Sequence, residues 1–292
     1  MKQFSVLYSM SLFIASLNSG SNGNCYYVGN DRHAVLVDAG ISCRETELRM
    51  ANLQLHMKKV KAVFISHEHV DHISGIRVLS KKYNLPVYIT EATLNNTGIR
   101  LPKNLVYSFK PDEPVTIGEL SVTPFVKEHD AKDPFSFVIE GDGVKVGVIT
   151  DIGIACKRVI HYFKQCHACF LESNYDEQML ENGSYPPRLK KRIRGGKGHL
   201  SNTQALNLFI KHRPEFMSHL LLSHLSKNNN HPDIVQELFT KHAGKTNIIV
   251  ASRYNESAVY TIQSAKKELT GKKIVPFLKE NMQMSLFELA SW

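Results

Sequence analysis

The sequence predicts a mixed α/β domain built in layers, with helices on the outside. Three observations lead there. The 292 residues are 42% hydrophobic and 22% charged, which supports a full-sized core and rules out disorder as the general state. Short β-forming runs recur along the chain and dominate its first half. Segments with helical spacing lie between them, and in the second half the two kinds alternate more regularly.

In chain order, Ser11 to Leu17 reads as the first strand, running into the turn Ser19-Gly20-Ser21-Asn22-Gly23-Asn24. A signal peptide is the rival reading of Phe4 to Leu17, since Lys2 precedes the segment and Ala15 stands near its end. Serines interrupt it, and it is too short and too polar to span a bilayer, so no membrane association is expected. Met10 is an alternative start. Further strands are expected at Cys25 to Val28, Ala34 to Val37, Ala62 to Ile65, Pro86 to Ile89 and Val122 to Val126. More follow at Phe135 to Ile139, Val144 to Ile149, Ala168 to Leu171, Leu220 to Leu222, Ile248 to Ala251 and Ala258 to Ile262. Helices are expected at Glu45 to Leu55, Ile73 to Tyr83, Ile154 to Lys164, Thr203 to His212 and Pro232 to His242. No repeat or linker divides the chain, so residues 1–265 are read as one domain. Residues 266–292 turn Lys-rich and then apolar-acidic, and read as a C-terminal appendage.

Composition narrows the function classes. A net charge of +9 favours polyanionic partners. Five cysteines, an odd number in a chain this long, argue against a disulfide framework and for a reducing compartment, so a cytoplasmic protein is expected. Cys166-His167-Ala168-Cys169 lacks the second pair a zinc site needs and reads as packing where a helix meets a strand.

The chemistry is concentrated in Ser66-His67-Glu68-His69-Val70-Asp71-His72, between an apolar strand and a helical pattern. One histidine in a polar loop is ordinarily just solvated. Three imidazoles and a carboxylate between positions 67 and 72 gain little without a cation, and their donors suit Zn²⁺, Mn²⁺ or Fe²⁺. His67 and His69 alternate and can share one ion, while Asp71 and His72 lie past the bend and can reach a second. Other expected strands end in the same residue types, at His129-Asp130, Thr150-Asp151 and Ser223-His224. Open α/β sheets collect ligands at those ends. The set closes as two sites: His67, His69 and His129 for one metal, Asp71, His72 and His224 for the other, with Asp151 bridging.

At these residues the chain resembles the dimetal metallo-β-lactamase fold. Val35-Leu36-Val37-Asp38-Ala39-Gly40 is similar to that fold's early strand and structural Asp turn. The resemblance is narrower still, to the WalJ (YycJ) subgroup of hydrolases. It runs through Ser19 to Asn24, His129 to Pro134, Thr150 to Gly153, Leu171 to Asp176, Tyr185 to Ile193, Gly198 to Asn202 and His224 to Ser226, and covers about Ser11 to Ile262. Tyr175 departs from it where many members carry His, at a substrate contact and not a metal ligand. The resemblance implies an αββα four-layer sandwich and phosphodiester hydrolysis, the subgroup being regarded as 5′→3′ exonucleases on double-stranded DNA.

Two divalent ions about 3.5–4 Å apart would hold a hydroxide and clamp both oxygens of an in-line displacement. Asp71 is expected to orient that hydroxide as well as to ligate. His199 follows Gly195-Gly196-Lys197-Gly198 rather than a strand, and is expected to protonate the leaving oxygen or hold the scissile phosphate. A loop histidine bonded to backbone is the plainer alternative. Ser201 or Asn202 is expected to cap the helix that follows, at an N-terminus that attracts phosphate. The basic run that includes Lys190, Lys191 and Arg192 leads into this segment and is expected to grip a nucleic-acid backbone. The resemblance adds Ser19, Ser21, Asn24 and Asn174 as substrate contacts, and the polar Asn228-Asn229-Asn230, which follows His224 near the expected metals, is expected to rim the groove. DNA stands ahead of RNA as substrate. A tRNA 3′-end nuclease is the nearest alternative, and a thioester hydrolase or a non-catalytic nucleic-acid-binding module is more distant.

Overall fold

The computed structural model describes residues 11–264. The alternative start at Met10 and the expected appendage from residue 266 lie outside them. Two seven-stranded sheets carry the fold. Strands β1 (Ser11–Asn18), β2 (Cys25–Gly29), β3 (Ala34–Val37), β4 (Val60–Phe64), β5 (Val87–Tyr88) and β6 (Val106–Tyr107) cross the first sheet in chain order. Strands β7 (Val115–Ile117), β8 (Leu120–Val126), β9 (Phe135–Gly141), β10 (Val144–Ile149), β11 (Ala168–Glu172), β12 (His219–Ser223) and β13 (Asn247–Val250) cross the second the same way. The last strand, β14 (Tyr260–Gln263), returns to pair with β1.

Each half begins with antiparallel pairs and turns parallel, from β3 to β6 in one sheet and from β10 to β13 in the other. Parallel neighbours need a crossover, and helices supply it. On the first sheet these are α1 (Cys43–Asn52), α2 (Val70–Ile73), α3 (Ile76–Tyr83) and α4 (Glu91–Thr97). On the second they are α5 (Lys157–Phe163), α6 (Glu177–Asn182), α7 (Pro187–Arg194), α8 (Asn202–His212) and α9 (Pro232–Thr240).

Alternation along the strands assigns side chains to three cores. Ala62 and Phe64 of β4 point between the sheets, where Tyr26, Val35 and Val37 meet Phe137, Val146, Phe170 and Leu221. Val63 and Ile65 point the other way, under Met50, Ile76 and Leu79. Behind the second sheet, Ile149, Leu171 and Leu222 lie under Val159, Phe163, Leu208, Phe209 and Phe239. Both faces of both sheets are covered, which is why the strands read as nearly unbroken apolar runs. The result is the expected helix–sheet–sheet–helix sandwich.

Several elements differ from their sequence reading. The helix expected over Ile73 to Tyr83 is two, α2 and α3, separated at Ser74-Gly75. A Cβ on Gly75 would stand 1.9 Å from the Ile41 carbonyl oxygen, so the backbones touch there. The basic run is a helix, α7, whose charges hid its period. The two- and three-residue strands β6 and β7 are too short to carry a pattern of their own, whereas β5 falls within the strand expected at Pro86 to Ile89. Cys166 and Cys169 are buried free thiols, as a packing role requires, and burial pushes Cys166 up to about 12.

Candidate metal centre

The strand ends bring the donors together. After β3, β10 and β12 the backbone takes positive φ at Asp38 (61°), Asp151 (53°) and His224 (58°), a conformation uncommon for residues with a side chain. Each chain reversal turns its side chain onto the common C-terminal rim of the two sheets. The loop after β4 adds His67 and His69, and the first turn of α2 adds Asp71 and His72. Gly40 lets that loop close in, since a Cβ there would fall 1.7 Å from the Asp71 carbonyl oxygen.

Most of the imidazoles are held by Nδ1 with Nε2 turned to the centre. His72 Nδ1 donates to Asp38 Oδ2 (2.7 Å), and His129 Nδ1 to the Gly198 carbonyl (3.0 Å). His224 Nδ1 donates to Glu172 Oε1 (3.0 Å), and His67 Nδ1 to Ser66 Oγ (2.8 Å), whose own proton goes to Asp38 (2.8 Å). His69 presents Nδ1 instead, 3.0 Å from His67 Nε2 and 3.4 Å from His129 Nε2. Such outer bonds fix the tautomer and aim the free nitrogen.

These spacings test for a cation. Two donors about 2.0–2.1 Å from one tetrahedral ion stand about 3.3–3.4 Å apart. His69 Nδ1 stands at that spacing from His129 Nε2 (3.4 Å) and somewhat closer to His67 Nε2 (3.0 Å). In the neighbouring group, His72 Nε2 lies 3.5 Å from Asp71 Oδ2, and His224 Nε2 lies 3.4 Å from the same oxygen. Asp151 sits between the groups, with Oδ2 3.3 Å from His72 Nε2 and Oδ1 4.0 Å from His129 Nε2. Its Oδ2 is buried and has no hydrogen-bond partner among the described residues. A buried carboxylate oxygen in that state is costly unless a cation completes it. The donor set therefore fits divalent metal binding.

Electrostatics divides the histidines the same way. Burial, then the neighbouring His72, hold His67 and His69 below their ordinary value, and burial takes His129 down to about 3. Neutral nitrogens are what a metal requires. Burial also disfavours charge on His72 and His224, but Asp151 and the other carboxylates overcome it and lift His224 to about 10. A proton or a cation on these two nitrogens offsets the carboxylates around them.

His199 stands beside this centre, not in a free loop. Its Nδ1 donates to Glu172 Oε1 at 2.7 Å, and its ring is 5.2 Å from those of both His129 and His224. Glu172 is one of two residues here that the sequence did not reveal. It is fully buried at the end of β11, bonds both His199 and His224, and accepts from the Ile152 amide at 2.7 Å. Burial alone would raise its carboxyl, but the charge and bond of His199, then the His224 bond, bring it to about 2. Its signal was available, an acid ending an apolar strand as Asp151 does. Lys127 was missed too. It is a buried ammonium at the end of β8 that donates to the Thr150 carbonyl at 2.8 Å.

A groove leads from the centre, lined by Ser21, Asn174, Arg192, His199, His224 and Ser226 among others. Ser21, Asn174 and Arg192 line this groove, where Asn174 is buried with its Nδ2 donating to the His224 carbonyl at 2.8 Å and Arg192 is paired with Asp130. The other expected contacts need correction. Ser19 and Asn24 are buried, because Ser19 Oγ accepts from the His224 amide (2.8 Å) and Asn24 Nδ2 donates to Asp71 Oδ2 (3.1 Å). They brace the ligands. Ser201 caps α8 as expected, in a capping box with Gln204, while Asn202 is buried against Ser173 and Asn230. Lys190 and Lys191 fall on the other side of α7 from Arg192, around Glu181 and Arg194, because a helix turns neighbours about 100° apart. Asn229 and Asn230 are buried and leave the rim to others. Tyr175 is also buried, 3% exposed, so it offers no ring to the groove.

A sandwich of this layering, with histidines and carboxylates converging at one rim, defines a class of metal-centred proteins. The family profile described as "Beta-lactamase superfamily domain" matches residues 33–224. Exodeoxyribonuclease YycJ of Bacillus anthracis is 35% identical over 230 residues, covering 78% of this chain and 87% of that protein. Exodeoxyribonuclease WalJ of Streptococcus pneumoniae is 32% identical over 219 residues, covering 73% and 81%. The chain belongs to the β-lactamase superfamily and, within its metallo-β-lactamase-fold hydrolases, to the WalJ (YycJ) subgroup. Among solved structures, the metallo-β-lactamase fold protein YhfI from Bacillus subtilis superposes with a TM-score of 0.66 at 18% identity, over 86% of this chain and 99% of that one. Zn²⁺-bound PqqB from Methylobacterium extorquens gives 0.66 at 16%, over 86% and 100%. Both likenesses concern the fold.

Proposed function

We propose that this chain is an exodeoxyribonuclease that hydrolyses double-stranded DNA from a 5′ end, using two divalent cations. Zn²⁺ and Mn²⁺ lead, with Fe²⁺ also compatible with the donors. The observation that carries this reading is the convergence of overlapping groups of His, Asp and Glu donors on one rim, each group's donor atoms within 4.8 Å of one another, in a chain whose relatives are named exodeoxyribonucleases. His67, His69 and His129 would hold one ion, Asp71, His72 and His224 the other, and Asp151 both. When bound, such a pair supplies an activated water and neutralises charge on a scissile phosphate.

The chain's own residues do the rest. Asp71 has one oxygen turned to His72 and His224, and orients the attacking water. Glu172 fixes His199 by Nδ1, leaving Nε2 to give its proton to the departing oxygen. Arg192 grips the strand from α7. We read residues 1–265 as the hydrolase domain. A cytoplasmic location is supported by five cysteines that are all free thiols. No helix among the described residues is long and apolar enough to cross a membrane.

The test offers purified protein with Mn²⁺ or Zn²⁺ three substrates: 5′-phosphorylated duplex DNA, precursor tRNA and a thioester. Progressive shortening of the duplex from its 5′ end is expected. Cleavage of precursor tRNA alone would move the protein to RNA processing. Turnover of the thioester alone would remove it from the nucleases.

A further inference from the structure

The loop after β13 is held more firmly than a surface loop requires. Arg49 of α1 is buried and reaches across to it. One guanidinium nitrogen donates to Leu17 O and Asn18 Oδ1, both at 2.7 Å, and the other to the Tyr254 carbonyl at 2.9 Å. Ser252 Oγ accepts from the amides of Tyr254 (3.0 Å) and Asn255 (3.2 Å), and Asn22 Nδ2 donates to the Arg253 carbonyl (2.8 Å). The backbone is anchored from several sides. The Tyr254 side chain nevertheless stands 65% exposed.

Beside that ring, Arg253 packs against the turn that borders the cation centre. Its Cβ would be 3.2 Å from a Cβ on Gly20, and its Nη2 donates to Ser21 Oγ at 3.3 Å. Ser21 lines the groove that holds His199 and His224. The other terminal nitrogen, Nη1, is shielded from solvent and has no acceptor among the described residues. The guanidinium carbon lies 5.9 Å from the Tyr254 ring centroid. A single exposed aromatic is ordinary on a protein surface. An exposed ring on a braced loop, beside a guanidinium whose Nη2 reaches a residue of the groove wall, has the parts of a strand-binding site: a phosphate contact and a stacking face.

We infer that Arg253 and Tyr254 form a second nucleic-acid contact beside the groove, on the side of Ser21, Arg253 on a backbone phosphate and Tyr254 stacked on a base that has left the duplex. The inference rests on the nuclease reading above. It assigns the 252–256 loop to the single-stranded part of the substrate, whereas Arg192 grips from α7.

The test is binding of the metal-loaded protein to phosphorothioate DNA, followed by fluorescence anisotropy across a salt series. One fluorescein-labelled duplex carries a single-stranded tail and the other is blunt. Tyr254→Ala should weaken the tailed probe about tenfold and the blunt probe far less, while Tyr254→Trp keeps the affinity. Arg253→Met should weaken the tailed probe and lower the slope of log K against log salt by about one. Tyr254 is anchored through its carbonyl, so its substitutions leave the loop's ties in place. Tyr254→Ala and Arg253→Met variants that bind the tailed probe as the wild type does, in a protein that shortens DNA, would overturn this site alone. A wild-type protein that binds neither probe and shortens no DNA would overturn the nuclease reading instead.

Discussion

Asp71 shows how little of a site residue's work is done by its backbone neighbours. Its side chain meets His72, His224 and Asn24, while its carbonyl accepts from the Asn24 amide at 2.7 Å and anchors the loop. Asp71→Ala removes the first set and keeps the second. Hydrolysis should fall to background while circular dichroism and the thermal midpoint stay near those of the wild type; a normal rate would take Asp71 out of the mechanism. Glu172 acts through others. Glu172→Gln replaces one of two acceptor oxygens with a donor facing His199 and His224, and should lower both metal affinity and kcat about 10- to 100-fold, read by metal titration and steady-state rates. Unchanged values for both would leave it a packing residue. That His67, His69, Asp71, His72, His129, Asp151 and His224 would meet at one rim was legible because each ends or follows an apolar strand in a residue type cations favour. Ser19 and Asn24 were not, because buried hydrogen bonding within a ligand loop and exposed contact with a substrate use the same side chains.

At the scale of elements, α7 carries the clearest lesson. Read linearly, Lys190, Lys191 and Arg192 form one basic patch. Wound into a helix, Leu189, Arg192 and Ile193 face the groove at i, i+3 and i+4, while Lys190 and Lys191 sit around Glu181. Arg192→Ala should therefore weaken DNA binding and reduce the salt slope by about one. The double substitution Lys190→Ala with Lys191→Ala should change that slope much less, and equal effects from both would return the whole run to the interface. The break between α2 and α3 has a similar origin. It is set by the contact of Gly75 with Ile41, which lies outside the helical pattern itself.

Across the whole molecule, two sheets deliver their C-terminal ends to one rim, and the buried carboxylates Asp38, Asp151 and Glu172 collect there beside the half-buried Asp71. A cation that binds only this folded arrangement stabilises it. At a hundredfold excess over its dissociation constant the gain is about 2.7 kcal/mol. Removing metal with a chelator should lower the urea midpoint accordingly, with recovery on adding Mn²⁺ or Zn²⁺. A midpoint indifferent to chelator and metal would mean that no such ion is held. The chain by itself determined the layered class, most strands and which residues could ligate, because alternation, apolar runs and donor chemistry are local properties. Only the tertiary structure decided which polar side chains face the groove, where Glu172 and Lys127 act, and how Arg49 places Tyr254. Those depend on residues far apart in sequence meeting in space, and no local pattern encodes that meeting.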